Sequence, residues 1–305
     1  MPNFATIICP VDFSDHSRVS LGRAGAWARH FKARLIVVTV AEPLLVDAAA
    51  ATYDMDLVRD EVLPELREFV AKASAAAGVD PPAPEAIVLV GEPADEIEAL
   101  ARREQADLIV IATHGLSGYR KMLLGSTTEK LLRQTTVPVL VAPASDEPPA
   151  AMEPLTTAVG RVMAPVDFKD ASVRDARAAA DLAHALAVPL LLVHVVAPVK
   201  GLERLRLQLD THNRAQLDRA RQQIRSLASE AVKSPSGIET VVAVGSPAEE
   251  IAQLAIDRGV GLIVMGLRTQ ERMFGPRPGS IAYRILGLAP AMVLALPSRA
   301  ANVAR

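Results

Sequence analysis

Residues 113 to 132 read THGLSGYRKMLLGSTTEKLL, placing Gly115 and Gly125 ten positions apart, with a serine and two threonines directly after the second glycine. Glycine lets the backbone take positive φ and approach an anion closely, and hydroxyl groups add hydrogen-bond donors. If a helix begins at Ser126, its unpaired amides and the positive end of its dipole favour a phosphate group. The pattern therefore indicates a loop that wraps a polyphosphate.

A purely structural interpretation of this loop stays open, because glycines also permit ordinary turns and Gly125-Ser126 also suits the start of a helix. The loop is not a Walker A sequence, since no Lys-Ser or Lys-Thr pair follows its glycines at the required spacing. Nor is it the dinucleotide fingerprint, whose glycines follow the first strand, where this chain has PVDFSD. Spacing alone does not choose between phosphate binding and a turn.

The elements that must position this loop occur twice, because the chain repeats itself at an offset of 154 or 155 residues. A register held over the length of a domain indicates two copies of one fold. The stretch PASDEPPAAMEPL between the copies is typical of a linker, being rich in Pro and Ala. The repeated segments are CPVDFSD (9–15) and APVDFKD (164–170), LIVVTVAEP (35–43) and LLLVHVVAP (190–198), VGEPADEIEALA (90–101) and VGSPAEEIAQLA (244–255), and the loop segments 124–143 and 278–297.

Short apolar runs alternate with amphipathic segments in each half, the pattern of a parallel sheet built from β-α-β units. We therefore predict two Rossmann-like α/β domains, residues 1–145 and 156–305, each a five-stranded parallel sheet with helices on both faces. We expect the strand order 3-2-1-4-5 in each half and two separate sheets. In the first half we predict strands at TIICPV, RLIVVTV, EAIVLVG, DLIVIAT and VPVLVA, and helices at 15–31, 54–77, 94–104 and 126–134; the second half repeats this order with a longer helix at 201–232.

Composition argues against several classes of function. The 305 residues are 50% hydrophobic but only 3% aromatic, and the net charge of −2 gives no basic excess for binding nucleic acid. There is no signal-peptide pattern and no apolar run long enough to span a bilayer, so we expect a soluble, cytoplasmic protein without a membrane partner. The single cysteine, Cys9, lies in an apolar run and is expected to be buried and inert. No histidines have metal-ligand spacing, so we expect no metal site.

The loop and the acid after the first strand resemble those of the universal stress proteins, here in a tandem two-domain form that covers nearly all of both halves. Members that bind ATP carry a G-x2-G-x9-G-[ST] loop after the fourth strand, which Gly115 and Gly125-Ser126 match, while Ala112 replaces the first glycine. The resemblance implies an adenine nucleotide alpha hydrolase-like fold and ATP, with or without Mg²⁺, as the cofactor. It places adenosine contacts on Pro10, Asp12 and Val40, with Ile111, Ala112 and His114 lining the pocket, and phosphate contacts on Gly115, Gly125, Ser126, Thr127 and Thr128.

The second half keeps part of the pattern, and the resemblance leaves nucleotide binding there open. Thr269 stands where the second glycine belongs, and a β-branched residue is costly at positive φ. Loop arginines at 268, 272 and 277 are an alternative source of phosphate contacts, although such residues are commonly just solvated. If only one half holds ATP tightly, we expect it to be the first. The matching residues are Asp167, Val195, Gly266, Gly279 and Ser280.

Three functions follow from this pattern. The first is a regulatory ATP-binding protein of the stress response with slow or no hydrolysis, because no general base or nucleophile stands out beside the phosphate loop. The second is a slow ATPase or adenylyl-transferring enzyme, since related folds support such chemistry. The third is a nucleotide-free interaction scaffold.

The apolar fifth strands, VPVLVA and AMVLALP, are expected to meet, making the chain its own pseudo-dimer, with a homodimer as a further alternative.

Overall fold

A computed structural model describes residues 4–77, 83–113, 124–143, 154–197, 206–231, 237–267 and 280–297. Strands and helices alternate through both halves, as the apolar runs predict. The first half contains β1 (Thr6–Pro10), α1 (Asp15–Phe31), β2 (Arg34–Ala41), α2 (Pro43–Tyr53), a π-helical segment (Val58–Val62) continuous with α3 (Leu63–Ala77), β3 (Glu85–Val90), α4 (Pro93–Arg103), β4 (Leu108–Ala112), α5 (Ser126–Gln134) and β5 (Val139–Ala142). The second contains α6 (Leu155–Val159), β6 (Val162–Pro165), α7 (Asp170–Ala185), β7 (Leu190–Val196), α8 (Arg206–Ala231), β8 (Ile238–Val244), α9 (Pro247–Asp257), β9 (Leu262–Leu267), α10 (Ile281–Leu288) and β10 (Met292–Pro297).

Local signals explain where the main helices begin. The Ser14 side chain caps α1 by accepting a hydrogen bond from the Ser17 amide at 3.1 Å, and α1 ends at Lys32 in the left-handed conformation. Proline, whose φ is pre-set for a first helical turn, starts α4 and α9. Helix α2 was not predicted, because its largest apolar side chains, Leu44, Leu45 and Tyr53, face solvent and leave no core-facing stripe in the sequence.

Each half forms the predicted five-stranded parallel sheet in the predicted order, β3-β2-β1-β4-β5 in the first and β8-β7-β6-β9-β10 in the second. The expectation of two separate sheets is wrong, because β5 and β10 pair antiparallel and join all ten strands into one sheet. Leu140 lies opposite Leu294, its own equivalent at the 154-residue offset. The two edges meet because each is apolar and otherwise unpaired.

Helices cover both faces of the sheet and divide the core into two layers. Side chains such as Ile7, Val37 and Val110 pack with α1 and α3, whereas Ile8, Ile36 and Ile109 pack with α4 and α5. Alternate residues of one strand thus face opposite layers, as expected for a sheet that is buried on both sides. Among the described residues, no helix has the length and apolar character needed to cross a membrane.

A polar contact joins the halves beside the paired fifth strands. The Tyr283 hydroxyl of α10 donates a hydrogen bond to Glu129 Oε2 of α5 at 2.9 Å. Burial, and then this hydrogen bond, raise the pKa of Tyr283 above its ordinary value, so the phenol stays protonated and remains a donor. Tyr283 and Glu129 are again equivalents at the 154-residue offset, which places both contacts near the axis relating the two halves.

Candidate functional site

The site in the first half lies where neighbouring connections leave the sheet on opposite faces. Strands β1 and β4 are adjacent, with Ile8 opposite Ile109. The chain leaving β1 enters α1 on one face, and the helix after β4, α5, packs on the other. Crevices at such switch points, beyond the carboxyl ends of the strands, are where open α/β sheets bind ligands. The predicted residues Pro10, Asp12, Val40, Ile111, Ala112, Gly125, Ser126, Thr127 and Thr128 all lie on or next to elements that end or begin at this edge.

Asp12 is held in place by the start of α1. Its Oδ1 accepts hydrogen bonds from the Ser14 amide at 3.2 Å, the Ser14 hydroxyl at 2.6 Å and the Ser17 hydroxyl. Its own amide donates to Ser17 Oγ at 3.0 Å. Phe13 takes a left-handed φ of 64°, a conformation that costs a non-glycine residue about 1 kcal/mol and directs the chain into the helix. The carboxylate is therefore positioned before any ligand arrives.

The ends of the loop after β4 are tied together at its base. The Gly125 amide donates to the Thr113 carbonyl at 2.8 Å, and the Thr113 amide donates to the Ala142 carbonyl of β5 at 3.1 Å. The loop therefore leaves from and returns to a fixed position at the sheet edge. His114 and Gly115, predicted to line the pocket and to contact phosphate, lie outside the described residues.

Gly125 has a different role from the predicted one. Its φ is −58° rather than positive, and its amide is already bonded to Thr113, so positive φ and a bare amide are both wrong for this glycine. As the residue before α5 it provides no side-chain cap. Among the described residues, no side chain caps the first-turn amides, Ser126 to Thr128, an arrangement that suits an external anion.

The three hydroxyl groups of this turn are not equivalent. Ser126 is exposed and Thr127 is half-buried, so both can reach a ligand beyond the sheet edge. Thr128 is only 3% exposed, and its hydroxyl donates to the Ala112 carbonyl of β4 at 2.9 Å. The Thr128 hydroxyl therefore anchors α5 to β4, and the phosphate contact of this residue stays a prediction that only its backbone amide is placed to make.

The remaining first-half residues lie at strand ends, where they would form the floor of a ligand crevice at this switch point. Pro10 ends β1 and is buried, and Ile111 and Ala112 end β4 at 7% exposure each. Val40 lies near the end of β2 and is half-buried against the α4–α5 layer. The floor is therefore apolar, while Asp12 and the first turn of α5 supply the polar groups.

The second half repeats this framework with different partners for the acid. Phe168 again has a left-handed φ, 61°, after Asp167. Lys169 replaces Ser14: its amide donates to Asp167 Oδ1 at 3.1 Å and its ammonium lies 3.6 Å from Oδ2. Asp167 is thus part of an ion pair with the residue that replaces Ser14, whereas Ser14 gives Asp12 a hydroxyl partner.

Gly266 and Ser280 both make contacts within the second half. A Cβ on Gly266 would overlap the carboxylate of Asp175 on α7. The missing side chain therefore makes room for Asp175 rather than for a bound phosphate. Ser280 caps α10, its Oγ accepting from the Tyr283 amide at 3.3 Å. Ile281 and Ala282 replace Thr127 and Thr128, which removes two hydroxyls from the turn. Val195 lies on β7 near its end, and Gly279 lies outside the described residues.

Sequence reasoning missed the residues that hold the two acids. Ser14 and Ser17 could have been found from the spacing D-x-S-x-x-S, in which a helix-capping serine and the next turn both face the preceding acid. Lys169 gives a comparable signal, a basic residue two positions after Asp167. Neither spacing stands out until the left-handed residue between acid and helix is known.

These features define a doubly wound α/β protein built twice, with a candidate anion-binding turn at the switch point of its first half. The sequence model described as the universal stress protein family matches residues 3–143 and again residues 159–297. The chain belongs to the universal stress protein family, in a tandem two-domain form.

Individual relatives agree with this assignment. The universal stress protein in the QAH/OAS sulfhydrylase 3′ region of Thermus aquaticus is 36% identical over 138 residues, which cover 45% of this chain and 98% of that protein. The universal stress protein YxiE of Bacillus subtilis is 30% identical over 145 residues, 45% of this chain and 98% of its own. A crystal structure of a universal stress protein from Archaeoglobus fulgidus has the same fold over 96% of this chain and 98% of its own, with a TM-score of 0.63 and 20% identity.

Proposed function

We propose that this chain is a regulatory ATP-binding protein in which the first domain, residues 1–145, holds the nucleotide. The observation that carries the proposal is the pairing of a fixed carboxylate with an uncapped helix start at one switch point. Asp12 suits the hydroxyls of a ribose, and the first turn of α5 suits phosphate oxygens. The apolar floor formed by Pro10 and Ile111 suits the flat base.

The same geometry supports weaker nucleotide binding by the second domain, residues 156–305. Asp167 is already paired with Lys169, Ser280 already caps α10, and Asp175 places a carboxylate beside Gly266. Each of these groups must rearrange before it can meet a nucleotide.

The paired fifth strands support a pseudo-dimer within one chain. Because β5 and β10 use each other's edges, neither edge is available to a second copy. A homodimer would have to form through another surface, and light scattering of the purified chain measures which state is present.

Native mass spectrometry tests the ligand, and a turnover assay tests regulation against catalysis. We expect ATP to co-purify or to bind in calorimetric titration, with near one nucleotide per chain and with Mg²⁺ strengthening the contact to the phosphates. We expect no turnover beyond slow hydrolysis when the protein is incubated with Mg²⁺ and ATP. Absence of binding would favour the interaction scaffold, whereas sustained turnover would favour the ATPase or adenylyl-transferring enzyme.

A further inference from the structure

The second half contains a cavity of about 330 Å³ between the end of β7 and α8. Phe168, His194, Gln216, Arg219, Ala220 and Gln223 form most of its lining, and Val195, which the resemblance places among the nucleotide contacts, lines it as well. The volume is at the lower end of the range for small-molecule sites, roughly 300 to 1,000 Å³. The cavity therefore has room for a small ring-sized molecule.

In the first half, buried apolar side chains fill the space that corresponds to this cavity. At the 154-residue offset, Leu66 and Phe69 of α3 correspond to Ala220 and Gln223 of α8. Leu66 is fully buried and Phe69 is 8% exposed, with its ring edge-on to Phe13 at a centroid distance of 5.6 Å. The buried neighbours Val70 and Ile224 confirm that the two helices share this register.

The substitutions replace apolar filling by polar lining. Gln216 and Gln223 bring amide groups where the first half has Val62 and Phe69. Because Gln223 and Arg219 are exposed, the cavity opens to solvent and its polar groups can be reached from outside. A few polar groups beside apolar walls are typical of a ligand pocket.

One wall of the cavity is flat and held rigidly. His194 Nδ1 lies 2.7 Å from the Val166 carbonyl, which can only accept, so Nδ1 donates this hydrogen bond and the ring is held in place. The Phe168 ring lies against the imidazole at 4.3 Å between centroids, with 36° between the planes. In the first half the corresponding residue, Thr39, gives no such wall.

The charge lining the cavity is positive. Arg219 is exposed along one side, and its neighbour Asp218 pairs instead with Arg221 at 3.2 Å. Within the described ranges, no ion pair joins Arg219 to a carboxylate. A guanidinium with unused donors beside two amide side chains recognises a planar carboxylate.

We propose that the cavity between β7 and α8 is a second ligand site, specific to the second half, that binds a small aromatic carboxylate. The ring lies against the Phe168–His194 wall, the carboxylate meets Arg219, and the Gln216 and Gln223 amides complete its hydrogen bonds. Because Val195, a residue predicted to contact adenosine, also lines the cavity, the test must separate this site from a nucleotide site.

The experiment is a calorimetric titration of the full chain with benzoate, nicotinate and indole-3-carboxylate, and with benzamide as the uncharged comparison. We expect saturable binding of at least one carboxylate and at least tenfold weaker binding of benzamide. Arg219→Gln should weaken carboxylate binding by about tenfold to a hundredfold. Arg225→Gln, at an exposed arginine of the same helix that does not line the cavity, should leave it unchanged.

A refilled variant tests the cavity without removing the charge. Ala220→Leu with Gln223→Phe restores the residues of the first half, and should abolish carboxylate binding while leaving ATP binding by the first half intact. Lack of binding of all three carboxylates, equal binding of benzamide, or an unaffected refilled variant would each overturn the proposal. Displacement of the bound carboxylate by ATP in a Gly125→Asp background would also overturn it, since the cavity would then belong to a nucleotide site.

Discussion

Gly125 is the residue at which a substitution tests the proposed phosphate contact most directly. Its φ of −58° and ψ of 147° are open to any residue, so a side chain here changes chemistry rather than backbone. Gly125→Asp places a carboxylate over the first-turn amides of α5, where it caps the helix and repels phosphate. We expect thermal stability to stay level or rise slightly, and ATP affinity to fall about tenfold to a hundredfold in a fluorescent-ATP titration. Gly125→Ala is the matched control and should keep both properties.

Asp12 and Asp167 occupy equivalent positions, yet their partners predict unequal effects. Asp12→Asn removes the charge that we assign to the nucleoside and should weaken ATP binding about tenfold to a hundredfold. Asp167→Asn mainly breaks the contact with Lys169 and should leave the tighter ATP site unchanged. Calorimetric titrations of the two variants with ATP, each variant checked for a native circular dichroism spectrum, measure these two effects. Loss of tight binding with Asp167→Asn alone would reverse the ranking of the halves.

Cys9 shows how burial disables a reactive group. The thiol is fully buried in β1, and burial raises its pKa to about 12, although a hydrogen bond with Ser20 lowers it in part. Only the thiolate is nucleophilic, so at pH 8 we expect no reaction of the native protein with a thiol reagent such as DTNB. Unfolding in guanidinium should release one reactive thiol per chain. Rapid labelling of the native chain would contradict the burial of β1.

At the scale of elements, α5 and α10 begin with the same Gly-Ser pair but use it differently. Ser280 caps α10, so Ser280→Ala should lower the free energy of unfolding by about 1 kcal/mol with little effect on ATP binding. Ser126 is exposed inside the first turn of α5, so Ser126→Ala should leave stability unchanged and weaken ATP binding. Urea unfolding and ATP titration of both variants measure the two effects. An equal stability loss in both would show that the two starts are alike.

The same pair of helices shows what sequence can predict. Buried strands such as β4 are continuous apolar runs, so their existence and parallel order follow from local pattern and repeat. The cap of α10 does not follow from the sequence. Both helices follow a Gly-Ser pair, but the N-cap is the glycine in α5 and the serine in α10, and local pattern does not decide between these two positions. Helix α2 was missed since its apolar residues face solvent. The cavity at Ala220 becomes visible only when its residues are compared with their first-half equivalents in three dimensions.

At the scale of the whole molecule, the chain contains two cores that share one sheet. The core layer on the α1 side includes Leu155 and Val159 of α6 together with residues of both halves. His30 of α1 also lies 3.4 Å from the Ala185 carbonyl at the end of α7. The expectation of separate sheets failed because the sequence of an edge strand does not identify its partner. An apolar edge predicts that the strand pairs, but it does not predict which segment it pairs with.

The paired edges lead to a prediction about the first half alone. A fragment of residues 1–145 keeps its own five strands, and the Thermus aquaticus relative has about this length as a whole protein, so we expect the fragment to fold. Its β5 edge, Val139–Ala142, then lacks the β10 partner and remains apolar and unpaired. A second copy can supply the same antiparallel edge, because Leu140 and Leu294 are equivalent residues and the pairing is therefore nearly self-complementary. We expect the fragment to form dimers in sedimentation equilibrium, with a concentration-dependent melting temperature, whereas the intact chain at equal concentration does not dimerise through this edge. A fragment that stays monomeric across the micromolar range, with a native circular dichroism spectrum, would show that the fifth-strand edge does not drive association.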